Sequence, residues 1–333
     1  RADTGAVVAA QVTNFDPDDR RALYDDLVWQ HDFAAGETSA TFLIETTDAP
    51  VPPFQSKVFA RHVPERLDDF AWENDRMAHR AYGPGLDTPA AGKSQMISSG
   101  MDYWSKRVRY PIVDRWYLKG HDAYHIDSGE GVDNYSVGTN RGVGGLGVWH
   151  QGALRPSHNW STARVLANGP IRAVFELDYA PWDAGNGVMV RETKRFTVDA
   201  GLNFDRIEST FHLEGAESVE IAVGLSFTQA LQPIITQNAE QDWIGDWSTY
   251  PASGGQLGTT VMLAPGASHG FAEDATNRYI LTRVRDGATL THFAGGGWTR
   301  SGDFSSQQDW ENYVQAFAVR LRHPLTLSLD PLP

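Results

Sequence analysis

The chain has 333 residues, no cysteine, and 28 Lys and Arg against 42 Asp and Glu, a formal net charge of −14. Its length buries a substantial core without a covalent staple, and the absence of thiols excludes disulfides, Cys-ligated zinc and a cysteine nucleophile. The acidic balance argues against nucleic acid and anionic lipid as partners, and no run approaches the roughly 20 apolar residues that cross a bilayer.

The first residues lack a charged segment followed by an apolar one, so the chain is expected to be soluble, with any targeting peptide removed. Residues 16–33, DPDDRRALYDDLVWQHDF, predict an N-terminal helix: Asp16 caps it, Pro17 sits in the first turn, and Leu23, Leu27 and Val28 form an apolar face. ATFLIE (40–45) and KVFARHV (57–63) predict strands separated by the breaker APVPPF. Residues 61–82, RHVPERLDDFAWENDRMAHRAY, alternate like a strand and place Glu73, Asp75 and His79 on one face. The run SGEGVDNYSVGTNRGVGGLG (128–147) predicts a long irregular loop of functional character.

Beyond residue 160 a meander of alternating segments with Asn-Gly and Asp-Gly turns predicts antiparallel hairpins. DWIGDW (242–247) predicts an exposed loop with two rings, DWENYVQAFAVR a short helix, and PLTLSL a last strand. With no repeat, charge block or linker, residues 1–333 are expected to form one all-β domain of two stacked antiparallel sheets.

The motifs VPERLDDFAWENDRMAHRAYGPGL, SGMDYWSKRVRYPIVDRWY, YHIDSGEGVDNYSVGTNRGVGGLGVW and VLANGPIRAVFELDY resemble the DUF4861 family over roughly residues 40 to 330. The resemblance implies a β-sandwich of the galactose-mutarotase or supersandwich kind, in bacterial proteins associated with breakdown of uronate-containing polysaccharides such as pectin. It implies no particular reaction and no catalytic residues, so the chemistry rests on the residues themselves.

Eliminative cleavage of a uronate polymer needs a cation for the carboxylate, a base for the C5 proton and an acid for the leaving oxygen. Arg66 and Arg80 are the candidate clamps, His79 or His125 the base, and Tyr82 or Tyr124 the acid. Glu73, Asp75, Lys106 and His150 are further candidates for holding substrate, and Trp104 and Trp116 for stacking on neighbouring sugars. No cofactor is required, although Asp127, Glu130 and Asp133 form an oxygen-rich set of the kind that takes a divalent cation such as calcium. The expected partner is an acidic oligo- or polysaccharide, and the oligomeric state is open. Two other enzymes remain in view, a glycoside hydrolase using a carboxylate pair from Glu73, Asp75, Asp127 and Glu130, and a mutarotase-like epimerase. Outside catalysis stands a sugar-binding module, while a serine hydrolase lacks its Gly-x-Ser-x-Gly elbow.

Overall fold

The alternation beyond residue 160 becomes long antiparallel strands in a computed structural model describing residues 1–13, 26–45, 53–228, 230–250 and 254–330. One eight-stranded sheet runs, in spatial order, through Thr162–Asn168, Arg172–Asp183, Met189–Asp199, Asp205–Glu214, Thr289–Trp298, Gly255–Leu263, Trp243–Tyr250 and Leu231–Asn238. In Asp205–Glu214 the period of two is clear: Ile207, Ser209, Phe211 and Leu213 are buried, while Arg206, His212 and Glu214 are exposed.

Two five-stranded sheets face it. The first holds Gly270–Glu273, Asn277–Arg285, Ser218–Ser226, Val143–His150 and Ala153–Arg155; the second holds Phe59–Val63, Asp69–Glu73, Met77–Ala81, Met101–Lys106 and Gly131–Asp133. A parallel bridge between Met101 and Gly142 joins them. Trp72 of the second sheet meets Phe175 and Phe196 of the eight-stranded sheet at ring distances of 5.2 and 5.0 Å, so the expected antiparallel sandwich is the observed architecture. Burying one tryptophan removes roughly 150–250 Å² from water, about 4–6 kcal/mol before entropy, so rings of this kind dominate the core.

The outer faces carry helices. Gln307–Arg322, capped by the Ser306 hydroxyl accepting from the Asp309 N–H at 3.2 Å, lays Trp310, Val314 and Phe317 on the eight-stranded sheet. Gly258 and its cross-strand partner Gly297 make room, since a Cβ at either would stand 2.4 Å from the ring of Trp310 or Phe304. Val113–Lys119 and His121–Tyr124 cover the second five-stranded sheet, packing Val113, Trp116 and Tyr124 against Trp104.

Several expectations are corrected. Of the predicted N-terminal helix, residues 16–25 lie outside the described residues, while Asp26–Trp29 is a strand paired with Ala10–Thr13. The long helix is C-terminal. ATFLIE and PLTLSL form no strand, because Leu43, Ile44, Leu325, Leu327 and Leu329 are exposed and find no neighbouring strand among the described residues. DWIGDW lies mostly in the strand Trp243–Tyr250, with both tryptophans buried.

Residues 61–82 are not one strand. Asn74 Oδ1 accepts the N–H groups of Arg76 (2.8 Å) and Met77 (3.0 Å), closing a tight turn that reverses the chain. Trp72 then pairs with His79 and Glu73 with Ala78, so Glu73 and His79 occupy opposite faces. The run 128–147 is likewise partly strand, and its glycines permit close approach: a Cβ on Gly131 (φ 136°) would stand 2.1 Å from the Ser105 carbonyl oxygen.

Candidate functional site

The two central strands of the second five-stranded sheet, Asp69–Glu73 and Met77–Ala81, are buried at every position, because both faces are covered. The inner face carries Phe70, Trp72, His79 and Tyr103 into the sandwich. On the outer face, beneath the two short helices, Asp69, Glu73, Arg80, Asp102, Trp104, Lys106 and Asp133 form a charged layer.

Arg80 is its centre. Its Nη2 donates to Asp102 Oδ2 at 2.5 Å and to Asp133 Oδ2 at 3.3 Å, while Nη1 donates to the Tyr124 hydroxyl at 3.3 Å and lies 3.6 Å from Asp69 Oδ2. One guanidinium cannot neutralise three buried carboxylates, so the layer favours extra protons. Burial, against the pull of Arg80 and Arg66, pushes the Asp69 carboxyl up to about 6. Burial and then the charge of Asp102 raise Asp133 well above the usual carboxylate range. Asp69 Oδ1, Asp133 Oδ1 and Arg80 Nε find no hydrogen-bond partner among the described residues.

Beside this group, Lys106 Nζ donates to Glu73 Oε2 at 2.5 Å and to the Asn74 carbonyl at 2.7 Å. Glu73 also accepts from the Ile112 N–H at 2.8 Å and the Val113 N–H at 2.9 Å, placing a carboxylate on the first turn of Val113–Lys119. Both side chains are 1% exposed, so they hold the helix to the sheet and do not face a ligand.

His125 sits where the layer meets solvent. It is the C-terminal cap residue of His121–Tyr124, a one-turn helix. Its side chain is 38% exposed, and Nδ1 lies 3.0 Å from the Asp133 carbonyl oxygen. A carbonyl only accepts, so Nδ1 carries the hydrogen and the neutral ring keeps the lone pair on Nε2. Burial, with the nearby His121, draws the His125 pKa below the ordinary histidine value and favours that neutral form. The His125 ring centroid is 4.8 Å from those of both Tyr124 and His121. Tyr124 stacks on Trp104 at 5.3 Å, which stacks on Trp116 at 5.5 Å. On the far side of Tyr117, a groove of about 290 Å³ is lined by Arg61, Glu65, Asp114, Tyr117 and Leu118, and the Tyr117 hydroxyl donates to Asp69 Oδ2 at 3.1 Å.

Arg80, Tyr124, His125 and Asp133 thus converge, with the rings of Tyr82 and Trp104 against the Arg80 guanidinium at 5.3 and 5.4 Å. His79 is inside the sandwich, 1% exposed, stacked on Trp72 at 5.4 Å and driven by burial to a pKa of about 3. The Tyr82 ring lies 5.3 Å from the Arg80 guanidinium, and its hydroxyl is pushed up by burial and Asp102. Arg66 closes a 3₁₀ turn next to Asp69, and Asp75 Oδ1 accepts the Gly201 N–H at 2.6 Å. Trp104 and Trp116, expected to stack on sugars, are buried under the helices. His150 ends a strand of the other five-stranded sheet, next to Gly185.

The three carboxylates expected to share a cation are engaged separately, and no group of three or more His, Asp or Glu among the described residues is arranged for a metal ion. Asp127 pairs with Arg107 and Arg300, Asp133 with Arg80, and Glu130 with Arg115 and Lys119. Burial works against the Glu130 charge, but the hydrogen bonds from Lys119, Arg115 and Tyr110 outweigh it and hold the carboxyl at about 2.

Three partners escaped the site reading of the sequence. Asp102 was legible, since it alternates with Trp104 and Lys106 along one strand. Asp69 and Tyr117 gave no signal, because their pairing spans 48 residues and depends on how the helix folds back.

An antiparallel β-sandwich carrying a buried arginine and carboxylate layer, with a half-exposed histidine at its edge, is the class that fold and site define. The chain belongs to the DUF4861 family, described as a domain of unknown function, whose model matches residues 2–327. It is 34% identical over 337 residues to "Uncharacterized protein P7" of Formosa agariphila, covering 98% of this chain and 83% of that protein. Among solved structures it is similar to the galactosidase domain of the alpha-galactosidase-sucrose kinase AgaSK, with 11% identity and a TM-score of 0.33 over 72% of this chain and 41% of that one. The GH36 alpha-galactosidase AgaA of Geobacillus stearothermophilus, solved in complex with raffinose, gives 11% identity and a TM-score of 0.34 over 69% and 40%. The chain spans less than half the length of these two galactosidases.

Proposed function

We propose that this chain is a secreted or periplasmic carbohydrate-active enzyme that cleaves a uronate-containing glycan by β-elimination. The observation that carries the reading is the half-exposed imidazole of His125, held by the Asp133 carbonyl at 3.0 Å so that its neutral form offers Nε2 as a base. A base fixed in one tautomer and drawn to the neutral form by burial needs no prior deprotonation near neutral pH.

In this scheme His125 Nε2 takes the C5 proton, the electron pair becomes the C4–C5 double bond, and the C4–O bond breaks. His121, whose Nδ1 faces the Asp122 carboxylate at 3.2 Å, gives a proton to the leaving oxygen. No water is added. Arg107, held at Asp127 two residues from His125 and 35% exposed, neutralises the uronate carboxylate and so stabilises the enolate that forms on it. Arg80 and Tyr124, expected from the sequence to touch substrate, are buried and act as positioning residues beneath His125. Hydrolysis by a carboxylate pair has less support, because Glu73, Asp75, Asp127 and Glu130 are each committed to internal partners.

Incubation with pectic, alginate, ulvan and glucuronan oligosaccharides tests the reading. Product masses summing to that of the substrate, with new ultraviolet absorbance from an unsaturated uronate, are expected. Products heavier by one water would assign hydrolysis instead, and binding without any product would leave a sugar-binding module.

A further inference from the structure

Three carboxylates, of which Asp127 lies two residues from His125, each hold two cations. Glu130 takes Arg115 and Lys119, both at 2.7 Å; Asp127 takes Arg107 at 3.2 Å and Arg300 at 3.0 Å; Asp303 takes Arg109 at 2.7 Å and also Arg76. The acids are sunk and the cations stand above them: the carboxylate side chains are 8–14% exposed, the six cationic ones 30–57%. Arg300 has a further partner, and the other five cations over three carboxylates still leave a surplus of positive charge at the surface of a chain whose net charge is −14.

The three pairs are continuous. The Arg107 N–H donates to the Glu130 carbonyl at 2.8 Å, joining the first pair to the second, and Arg300 lies three residues from Asp303, joining the second to the third. His125 stands two residues from Asp127 along this path, and Asp122, exposed beside His121, returns one negative charge at its edge.

We infer that these cations form an electropositive stripe that binds several consecutive acidic sugars of one glycan chain, so the substrate is a polyanion engaged along its length. This rests on the lyase reading for the identity of the sugar, though not for the binding itself. Each sunk acid balances one unit of charge, so five cations over three acids leave positive charge facing solvent for an outside anion to meet. A single flexible chain with one carboxylate per sugar suits a narrow stripe on an acidic molecule, whereas the surrounding negative charge opposes a nucleic acid duplex.

The test measures calorimetric binding of galacturonate, mannuronate and glucuronate dimers and octamers to the His125→Ala protein, which holds ligand without turnover. A neutral glucose octamer and an oligodeoxynucleotide of matched charge serve as controls. At least one acidic octamer is expected to bind tighter than its dimer and to weaken as salt is raised. The double variant Arg109→Ala/Arg115→Ala, checked to be folded at the binding temperature, is expected to lose about fivefold or more in octamer affinity, with a flatter salt dependence and unchanged dimer binding. Equal affinity for the neutral octamer, no effect of the double variant, failure of every acidic octamer to bind, or equally tight oligonucleotide binding would each overturn the stripe. Octamer binding that needs the arginines, when the unsubstituted protein forms no unsaturated product, would retain the stripe and remove the lyase.

Discussion

The Nδ1 atom of His125 lies 3.0 Å from the carbonyl oxygen of Asp133, whose carboxylate receives the Arg80 guanidinium at 3.3 Å. The exposed histidine is therefore anchored in the buried charged layer by the backbone of one of its members. That connection orients the ring and fixes its tautomer, and the role of His125 as a base depends on both.

Nitrogen-resolved NMR of the histidine rings should find neutral His125 as the Nδ1–H tautomer, titrating below the ordinary histidine value. Burial penalises its charged form, so the folded pKa is depressed and the base form persists to lower pH. A ring titrating above the ordinary value, or carrying its hydrogen on Nε2, would remove the proposed base.

Arg80→Met should destabilise the fold by about 3–5 kcal/mol in denaturant titrations at pH 7, because it strands three buried carboxylates. The penalty should shrink at pH 5, where Asp69, with a pKa raised to about 6, has taken up a proton. A pH-independent loss would mean that the guanidinium matters for packing and not for charge.

Lys106→Met should cost a comparable amount, since it leaves Glu73 buried beside only the helix N–H groups. Combining it with Glu73→Gln should recover most of the loss, because the glutamine oxygen still accepts from Ile112 or Val113 and no charge remains. Additive losses in this double-mutant cycle would contradict a coupled ion pair.

Asp205 is a test of the sandwich interior. Burial, opposed by the Trp72 Nε1–H donating at 2.6 Å, lifts its carboxyl to about 7. A raised folded pKa means that its stability contribution is complete below the unfolded value near 4 and is lost as pH rises through about 7. Asp205→Asn should therefore melt close to the unsubstituted protein at pH 5 and above it at pH 8. The reverse order would show that the carboxylate is stabilised when ionised.

The sandwich was legible in the sequence because long strands with one buried face write a period of two, as Ile207, Phe211 and Leu213 do. The candidate site was legible in composition but not in arrangement. A sheet covered on both sides hides its faces, so the turn at Asn74 that sends Glu73 and His79 to opposite sides gave no periodic signal. Trp104 and Trp116 look like sugar platforms in sequence, yet two short helices bury them. The pairing of Asp303 with Arg76 and Arg109 spans 227 and 194 residues, a distance at which no local pattern reports contact.

The most direct test compares the unsubstituted protein with His125→Ala on one panel of uronate oligosaccharides, following the absorbance of the unsaturated product. The assignment of His125 as the base predicts absorbance that rises with the unsubstituted protein and is lost with His125→Ala, which remains folded at the assay temperature because the ring is partly exposed. A His125→Ala protein that forms unsaturated product at the unsubstituted rate would contradict it.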